Sequence, residues 1–480
     1  MDIMDNVNIS DSTIAAVSTP PGRGGLAVIR ISGKNAVEAA SRFFKLRGKG
    51  TLADAPDRYA CYGDIVSLCA DGSEGAPDII DTGLATVFRG PRSYTGEDVV
   101  EISCHGGTAL TYEVLATAFK AGCVPAGPGE FTRRAFMNGK LSLTEAEAVI
   151  GLIDAESSQA VRLSASHSRG VLRRRIEALN SEITALIASM YAYIDYPDED
   201  MTDVTADELH ERVSVLSSEL RRLADTYRIG HAVCEGVPTV ILGKPNVGKS
   251  SLLNALLGRR RAIVTDIPGT TRDTVEETVN IDGVMLRLCD TAGIRDPQDE
   301  VERIGTELSV EKASEAELIF GMFDSSRALD EDDRRSAELI LKEATRGAET
   351  VILLNKCDAG EKLTDASALG EILPGLPIIE ISAKCGEGID LLCGRIKELF
   401  NAEAIAYADN AVLSNARQFN AVSAALQSVE AALNALDSGF TPDVAGLDLE
   451  AALASLGETD GRCVTENVVS EIFSRFCVGK

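Results

Sequence analysis

Apolar residues recur along this chain with two different periods. Leu172, Ile176, Leu179, Ile183, Leu186, Met190 and Tyr193 step by four and three. Leu209, Val213, Leu216, Leu220 and Leu223 do the same, as do Phe419, Val422, Leu426, Val429, Leu433 and Leu436. Such stripes predict long helices packed as a bundle. Between the second and third stripes the pattern changes to short apolar runs at Val237–Leu242, Val284–Cys289, 351–354 and 376–381, which read as buried strands. The simplest arrangement is a helical domain with an α/β domain inserted in one of its loops.

The first 140 residues follow neither scheme. Ile14–Val17 and 25–31 read as strands around a Pro20-Pro21-Gly22 turn, and 86–88 and 98–102 as further strands. Residues 35–46 predict a helix, Gly106-Gly107 opens another, and Gly127-Pro128-Gly129-Glu130 marks a tight turn. The expected domains are 1–140 (α+β), 141–233 (helical, first part), 234–397 (α/β) and 398–480 (helical, second part).

Composition narrows the function classes. With 480 residues and 45% hydrophobic content, sizeable cores are affordable in two or three domains. A formal charge of −27 argues against a surface coated for non-specific nucleic-acid binding. Arg173-Arg174-Arg175 and Arg259-Arg260-Arg261 remain as local basic patches or solvated faces. The 11 cysteines form no CxxC pair, against both zinc and a disulfide framework. No apolar run of ~18 residues predicts a membrane helix, and the acidic start lacks a signal peptide's features. The expected location is the cytoplasm.

Four motifs, each following a strand-like run, carry the chemistry. Gly243-Lys244-Pro245-Asn246-Val247-Gly248-Lys249-Ser250 lies between a strand and the helix-like 251–257, the context a phosphate-binding loop requires. Its glycines let N–H groups curl around a β-phosphate, Lys249 reaches the β/γ oxygens, and Ser250 offers a hydroxyl to Mg²⁺, with Ser251 beside it. Asp290-Thr291-Ala292-Gly293 places a carboxylate to hold Mg²⁺ through water and an N–H to sense a γ-phosphate. In Asn355-Lys356-Cys357-Asp358 the aspartate can accept from both donors of the guanine edge, which adenine cannot offer. Ser382-Ala383-Lys384 completes the base pocket. Together they indicate GTP.

Thr265-Asp266-Ile267-Pro268-Gly269-Thr270-Thr271 reads as a switch loop, with Thr271 placed to complete Mg²⁺ coordination. Ile294 follows Gly293, where Ras-like enzymes carry a water-orienting glutamine, so hydrolysis needs another group. Glu302 lies in the acidic stretch after it, which reads equally well as a solvated helix start.

The two ends of the chain distinguish it among GTPases. Pro20-Pro21-Gly22-Arg23-Gly24-Gly25, Tyr94-Thr95-Gly96-Glu97-Asp98, His105-Gly106-Gly107, Gly129-Glu130-Phe131, Asn138-Gly139-Lys140-Leu141 and the closing Cys477-Val478-Gly479-Lys480 resemble the tRNA modification GTPases of the MnmE (TrmE) family over essentially the full length. The resemblance implies an N-terminal α+β folate-binding and dimerisation domain, a central helical bundle, and an inserted Ras-like P-loop GTPase domain with a doubly wound sheet. It also implies a homodimer that works with the FAD-dependent MnmG (GidA) in a heterotetramer or larger complex. That complex installs a carboxymethylaminomethyl or aminomethyl group at C5 of the wobble uridine, with tRNA held mainly through the complex. A 5-formyl- or methylene-tetrahydrofolate supplies the carbon. The folate-contacting positions carry over to Arg30, Glu101, Lys140 and Lys480. Arginine and lysine can meet folate carboxylates, and Glu101 can accept from the pterin's aminopyrimidine edge.

The resemblance further implies a K⁺ ion doing the electrostatic work of an arginine finger, with Asn246, Thr265, Ile267 and Thr270 at the ligand positions. Glu302 matches the glutamate that orients the attacking water, making it, with Lys249, the catalytic pair. Pro268 restricts Ile267 to extended backbone, which bears on how that carbonyl points. Cys477 is a candidate functional thiol, or packing within a folate-pocket tail. Other functions open to such a chain are a ribosome-assembly GTPase, or a GTP-dependent dimerising switch without one-carbon chemistry.

Overall fold

The computed structural model describes residues 12–68, 78–195, 206–259, 276–289, 312–360, 362–400, 410–462 and 464–480. They form two compact units: Met1–Ile150 with Asp460–Lys480, and Gly151–Thr459.

The first unit is built on a seven-stranded sheet. Its strands are β1 (Ile14–Val17), β2 (Ala27–Ser32), β3 (Phe44–Leu46), β4 (Ala60–Val66), β5 (Ile79–Phe88), β6 (Val99–Cys104) and β7 (Val124–Pro125), in the order β3-β4-β5-β6-β2-β1-β7. Alternate residues (Ala27, Ile29 and Ile31; Val100 and Ile102; Ala85 and Val87) face a core shared with α1 (Ala36–Phe43) and α2 (Thr108–Lys120). The helix expected over 35–46 stops at Phe43, because Phe44 turns extended and pairs with Ile65 of β4. Strand pairing there overrides local helical pattern. On the opposite face, Ile14 and Ala16 pack on Phe131 of α3 (Glu130–Met137).

Next come α4 (Leu143–Ile153), α5 (Ser158–Ser168), α6 (Val171–Asp195), α7 (Ala206–Asp225) and α8 (Tyr227–Cys234). The first two stripes predicted from periodicity bury Leu172 through Met190 and Leu209 through Leu223 in one helical core. The third helix differs. In α13 (Ala416–Asp437) Val422, Ala425, Val429, Ala432 and Ala435 are the buried line, while Phe419, Leu426, Leu433 and Leu436 are only partly buried. Alanines let backbones approach closely, so the seam runs along the small residues and the large ones flank it.

The inserted domain has β8 (Val237–Leu242), α9 (Lys249–Arg259), β9 (Glu276–Ile281), β10 (Val284–Cys289), β11 (Leu318–Asp324), α10 (Glu331–Thr345), β12 (Glu349–Asn355), α11 (Ala366–Ile372), β13 (Ile378–Glu380) and α12 (Ile389–Phe400). The sheet order is β13-β12-β11-β8-β10-β9, parallel except for β9. Both faces are covered, as a parallel sheet requires. Leu318, Phe320 and Met322 join a core with Leu252 and Leu256 of α9 and Ile389, Leu392 and Ile396 of α12. Ile319 and Phe323 join another with Ile340 of α10 and Leu369 of α11. Gly321 admits α10 closely: a Cβ there would lie 2.7 Å from Ile340 Cδ1. The chain then runs through α13 (Ala416–Asp437) and α14 (Pro442–Asp460) to α15 (Glu466–Ser474), which belongs to the first unit.

Candidate nucleotide-binding site

The phosphate loop follows β8 at the C-terminal edge of the parallel sheet, where doubly wound folds bind ligands. Its backbone takes three left-handed turns: Gly243 (φ 151°), Asn246 (65°) and Gly248 (106°). Asparagine tolerates this region; at the other two positions only glycine fits. A Cβ on Gly243 would lie 2.4 Å from Met322 O, and one on Gly248 2.3 Å from Asn355 Nδ2. Helical bonding in α9 begins with Leu252 N donating to Gly248 O at 2.9 Å. The amides just before it project from the helix start, a natural anion site.

Lys249 Nζ donates to the carbonyls of Gly243 (2.6 Å) and Lys244 (2.9 Å), so the ammonium sits inside its own loop. Burial lowers its pKa. Ser250 and Ser251 lie in the first turn of α9, both exposed.

The two motifs expected to recognise the base converge on the same edge. Asn355, buried at the end of β12, donates from Nδ2 to Val247 O at 2.7 Å and accepts from Ala383 N at Oδ1, 2.9 Å. One side chain thus ties the phosphate loop to the Ser382-Ala383-Lys384 segment. Ser382 and Ala383 are buried and Lys384 is exposed. A hydrogen bond from the Ser382 side chain holds the exposed Asp358 carboxyl below its usual range. Cys357 N donates to Ile381 O at 3.1 Å, keeping the two segments side by side. Lys356, with φ 67°, places Nζ 2.6 Å from Asp324 Oδ2. Asp324 ends β11, a fully buried strand that reading by motifs does not include. Its signal in the sequence is the apolar run 318–323 closed by an acid.

A second cluster lies in the first unit. Antiparallel register sets Arg30 of β2 directly opposite Glu101 of β6, and the pair closes at 2.8 Å. The Arg30 guanidinium stands 5.3 Å from the Tyr94 ring centroid and 5.6 Å from that of Phe131. Phe131 N donates to Lys480 O at 3.1 Å, which brings the last residue of the chain to the cluster. The tail is held by Gly129 N to Cys477 O, Ser18 Oγ to Gly479 O at 2.9 Å, and a bridge between Pro128 and Val478. Gly479, at φ 101°, is forced: a Cβ would sit 2.1 Å from Val17 O. Behind the cluster Arg134, 5% exposed, pairs with Glu97 (3.1 Å) and Glu130 (2.9 Å). Asn138 donates to Thr95 O at 2.7 Å and Lys140 Nζ to Pro91 O at 2.8 Å. The Tyr94–Asp98, Gly129–Phe131 and Asn138–Leu141 motifs are therefore one hydrogen-bonded assembly.

Residues 143–477 match the family profile described as the MnmE helical domain, and residues 13–140 that of the GTP-binding protein TrmE N-terminus. The chain belongs to the MnmE family. A relative named tRNA modification GTPase MnmE, from Acetivibrio thermocellus, is 40% identical over 98% of this chain and 99% of its own. One of the same name from Bacillus velezensis is 41% identical over 98% of this chain and all of its own. Among solved structures, the G domain of the T. maritima FeoB iron transporter is 27% identical, covers 33% of this chain and 96% of that one, and has a TM-score of 0.25.

In this MnmE-family chain the residues brought together are Asn246 to Ser251 with Asn355, Lys356, Asp358, Ser382, Ala383 and Lys384 on one edge of the inserted domain. In the first unit they are Arg30, Glu101 and Lys480. Arg30 and Glu101, expected to meet different parts of a folate, satisfy each other in the structure. Lys140 is engaged with Pro91 and no contact places it in the Arg30 cluster. Thr265 to Thr271, Asp290 to Gly293 and Glu302 lie outside the described residues. Tyr94 and Phe131 join the cluster although no charge or spacing marks them as site residues. Among the described residues no helix is long and apolar enough to cross a membrane.

Proposed function

We propose that this chain is the GTP-hydrolysing component of a tRNA wobble-uridine modification system, in which a folate-bound carbon is placed on uridine C5. Asn355 carries the reading. By joining Val247 O to Ala383 N it ties the phosphate loop to the segment expected to hold the base, and the Asp358 carboxylate, kept ionised by the Ser382 hydrogen bond, can accept from both donors of the guanine edge. Membership in a family whose relatives are named tRNA modification GTPases supplies the biological context.

The described part of the site fits a magnesium-nucleotide. Ser250 is exposed in the first turn of α9, and among the described residues Lys249 Nζ is held by two loop carbonyls, which a phosphate can replace. Bound Mg²⁺ would neutralise phosphate charge, with Ser250 and Thr271 as its protein ligands. Asn246, exposed in a left-handed turn, offers a carbonyl oxygen of the kind K⁺ accepts, and Thr265, Ile267 and Thr270 are the companion ligands. Glu302 orients water in place of the missing glutamine. Lys249, moving from the carbonyls of Gly243 and Lys244 to the β/γ oxygens, stabilises the charge that develops on them.

The first unit suits a folate: the aromatic-flanked Arg30 and the C-terminal Lys480, whose main-chain oxygen is bonded to Phe131 N, supply cations for the glutamate carboxylates, and Glu101 supplies an acceptor for the neutral aminopyrimidine edge of the pterin. A ligand there exchanges the Arg30–Glu101 contact for its own, and Lys140 gives up Pro91 O to join. The reading extends to a cytoplasmic homodimer acting with the FAD-dependent MnmG partner, through which most tRNA contact is made. Cys477, a free and exposed cysteine three residues before Lys480 in the docked tail, is the candidate functional thiol.

The test is nucleoside mass spectrometry of tRNA from cells lacking the protein. Loss of C5 aminomethyl-type wobble uridines, restored by wild type but not by Lys249→Ala, supports the proposal. Unchanged nucleosides, with redundant enzymes deleted, would refute it.

A further inference from the structure

The connection between β11 and α10 is flanked by two buried acids, Asp324 at the end of β11 and Asp333 in the first turn of α10, which bond to the two halves of the nucleotide site. At its start Asp324, its side chain 3% exposed, accepts from Lys356 Nζ at 2.6 Å, Ser326 N at 3.0 Å, Ser326 Oγ at 2.6 Å and Arg327 Nε at 3.2 Å. Its carboxyl is held below the usual range: burial acts to raise it, and the bonds from Lys356 and Ser326 outweigh that. Ser325, fully buried, reinforces the join. Its N donates to Asn355 O at 2.9 Å and its Oγ to Lys356 O at 3.0 Å. At the other end Asp330 caps α10 and forms a reciprocal capping box with Asp333. Lys244, the second residue of the phosphate loop, donates Nζ to both, at 2.6 Å to Asp330 and 2.7 Å to Asp333. The Lys244 and Asp333 side chains are only 10% and 7% exposed.

This arrangement is more than helix capping. A capping box is complete without a lysine, and Asp324 has donors enough in its own turn. The three acids nevertheless hold two lysines of the site's loops: Asp330 and Asp333 share Lys244 of the phosphate loop, and Asp324 holds Lys356 of the segment expected to face the base. We infer that the β11–α10 connection is a two-armed brace: Lys244 is a positioning residue for the phosphate loop through Asp330 and Asp333, and Asp324 is a positioning residue for guanine selectivity through Lys356. Neither touches the nucleotide in this scheme. Lys244 fixes where the loop carbonyls and amides sit, and Asp324 fixes the backbone from which Asp358 projects. The inference rests on the guanine-nucleotide reading of the site.

The measurement is stopped-flow binding of fluorescent GDP and IDP, whose bases differ by the guanine amino group, to the full chain. Lys244→Met should weaken both by about tenfold through faster dissociation, with the GDP-to-IDP preference unchanged and Lys244→Arg restoring it. Asp324→Asn should leave phosphate-driven affinity largely intact but reduce the GDP-to-IDP preference by about tenfold. Should Asp324→Asn fail to fold, Ser326→Ala removes one donor without stranding a charge, and the preference should fall in the same direction. Wild-type binding in Lys244→Met, or losses that track melting temperature with no split between affinity and preference, would overturn the brace. A wild-type chain that binds neither nucleotide would instead remove the guanine reading and the brace with it.

Discussion

Replacing Asn355 with alanine tests whether phosphate and base recognition are joined as we propose. The side chain is 3% exposed and makes two hydrogen bonds, at 2.7 Å to Val247 O and 2.9 Å from Ala383 N. Alanine removes both partners at once, leaving a buried acceptor on one loop and a buried donor on the other. Each orphaned group costs about 1–3 kcal/mol unless it finds water. The space vacated admits a water that can serve both, which favours the low end, roughly 2–3 kcal/mol in total. The two loops can also drift apart to reach solvent. Folding then loses little, and the cost reappears on binding, when a nucleotide must draw them together. At about 1.4 kcal/mol per tenfold, GDP affinity should fall by roughly 30- to 140-fold. Isothermal titration with GDP, beside thermal melting of the same preparation, separates the outcomes. Asn355→Asp is the informative companion: a carboxylate still accepts from Ala383 N but sets an acceptor against Val247 O, so it should bind no better than alanine. Unchanged GDP affinity in Asn355→Ala would refute the reasoning, whatever the melting temperature did.

Three further outcomes follow from the structure. Gly479→Ala forces a Cβ to within 2.1 Å of Val17 O at φ 101°, so the tail should undock and Phe131 N, bonded to Lys480 O, should exchange hydrogen much faster. Wild-type protection of that amide would contradict the tail's placement. His231 lies between Glu317 (3.1 Å) and Glu235 (3.5 Å); burial acts to lower its pKa, but the bond and charge of Glu317 and the charge of Glu235 outweigh it and the net direction is up, with Arg287 opposing. A raised folded pKa contributes stability that is full below the ordinary histidine pKa of about 6.5 and is lost as pH rises through the raised value. The melting difference between wild type and His231→Gln should therefore shrink from acid to alkaline pH, and a constant difference would remove histidine charge from the account. If Asn246, Thr265, Ile267 and Thr270 hold K⁺, GTP turnover at fixed ionic strength should be much faster in K⁺ than in Na⁺; equal rates would sink the assignment.

Much of the architecture is legible in the chain because its signals are local. A period of three and four buries Leu172 to Met190 on one side of a helix wherever that helix goes. Gly243 and Gly248 announce left-handed backbone, and an apolar run such as 351–354 can only be a strand or helix hidden from water. Residues 35–46 and the α13 stripe were harder for the same reason. Whether Phe44 ends a helix depends on Ile65 across the sheet, and whether Leu426 or Ala425 faces the seam depends on how closely another backbone approaches.

Element types, the order of the GTP motifs and the family to which the ends of the chain point can all be read from residue order. Which charged side chains pair with one another depends on the folded arrangement. Arg30 and Glu101 are 71 residues apart, and antiparallel register makes them opposite neighbours. Lys244 and Asp333 are 89 apart, and Asn355 lies 108 residues from Val247, yet each pair is bonded. A charged or amide side chain carries no periodic mark of its partner, because its bond is directional and short while sequence pattern records only the side of an element that must avoid water.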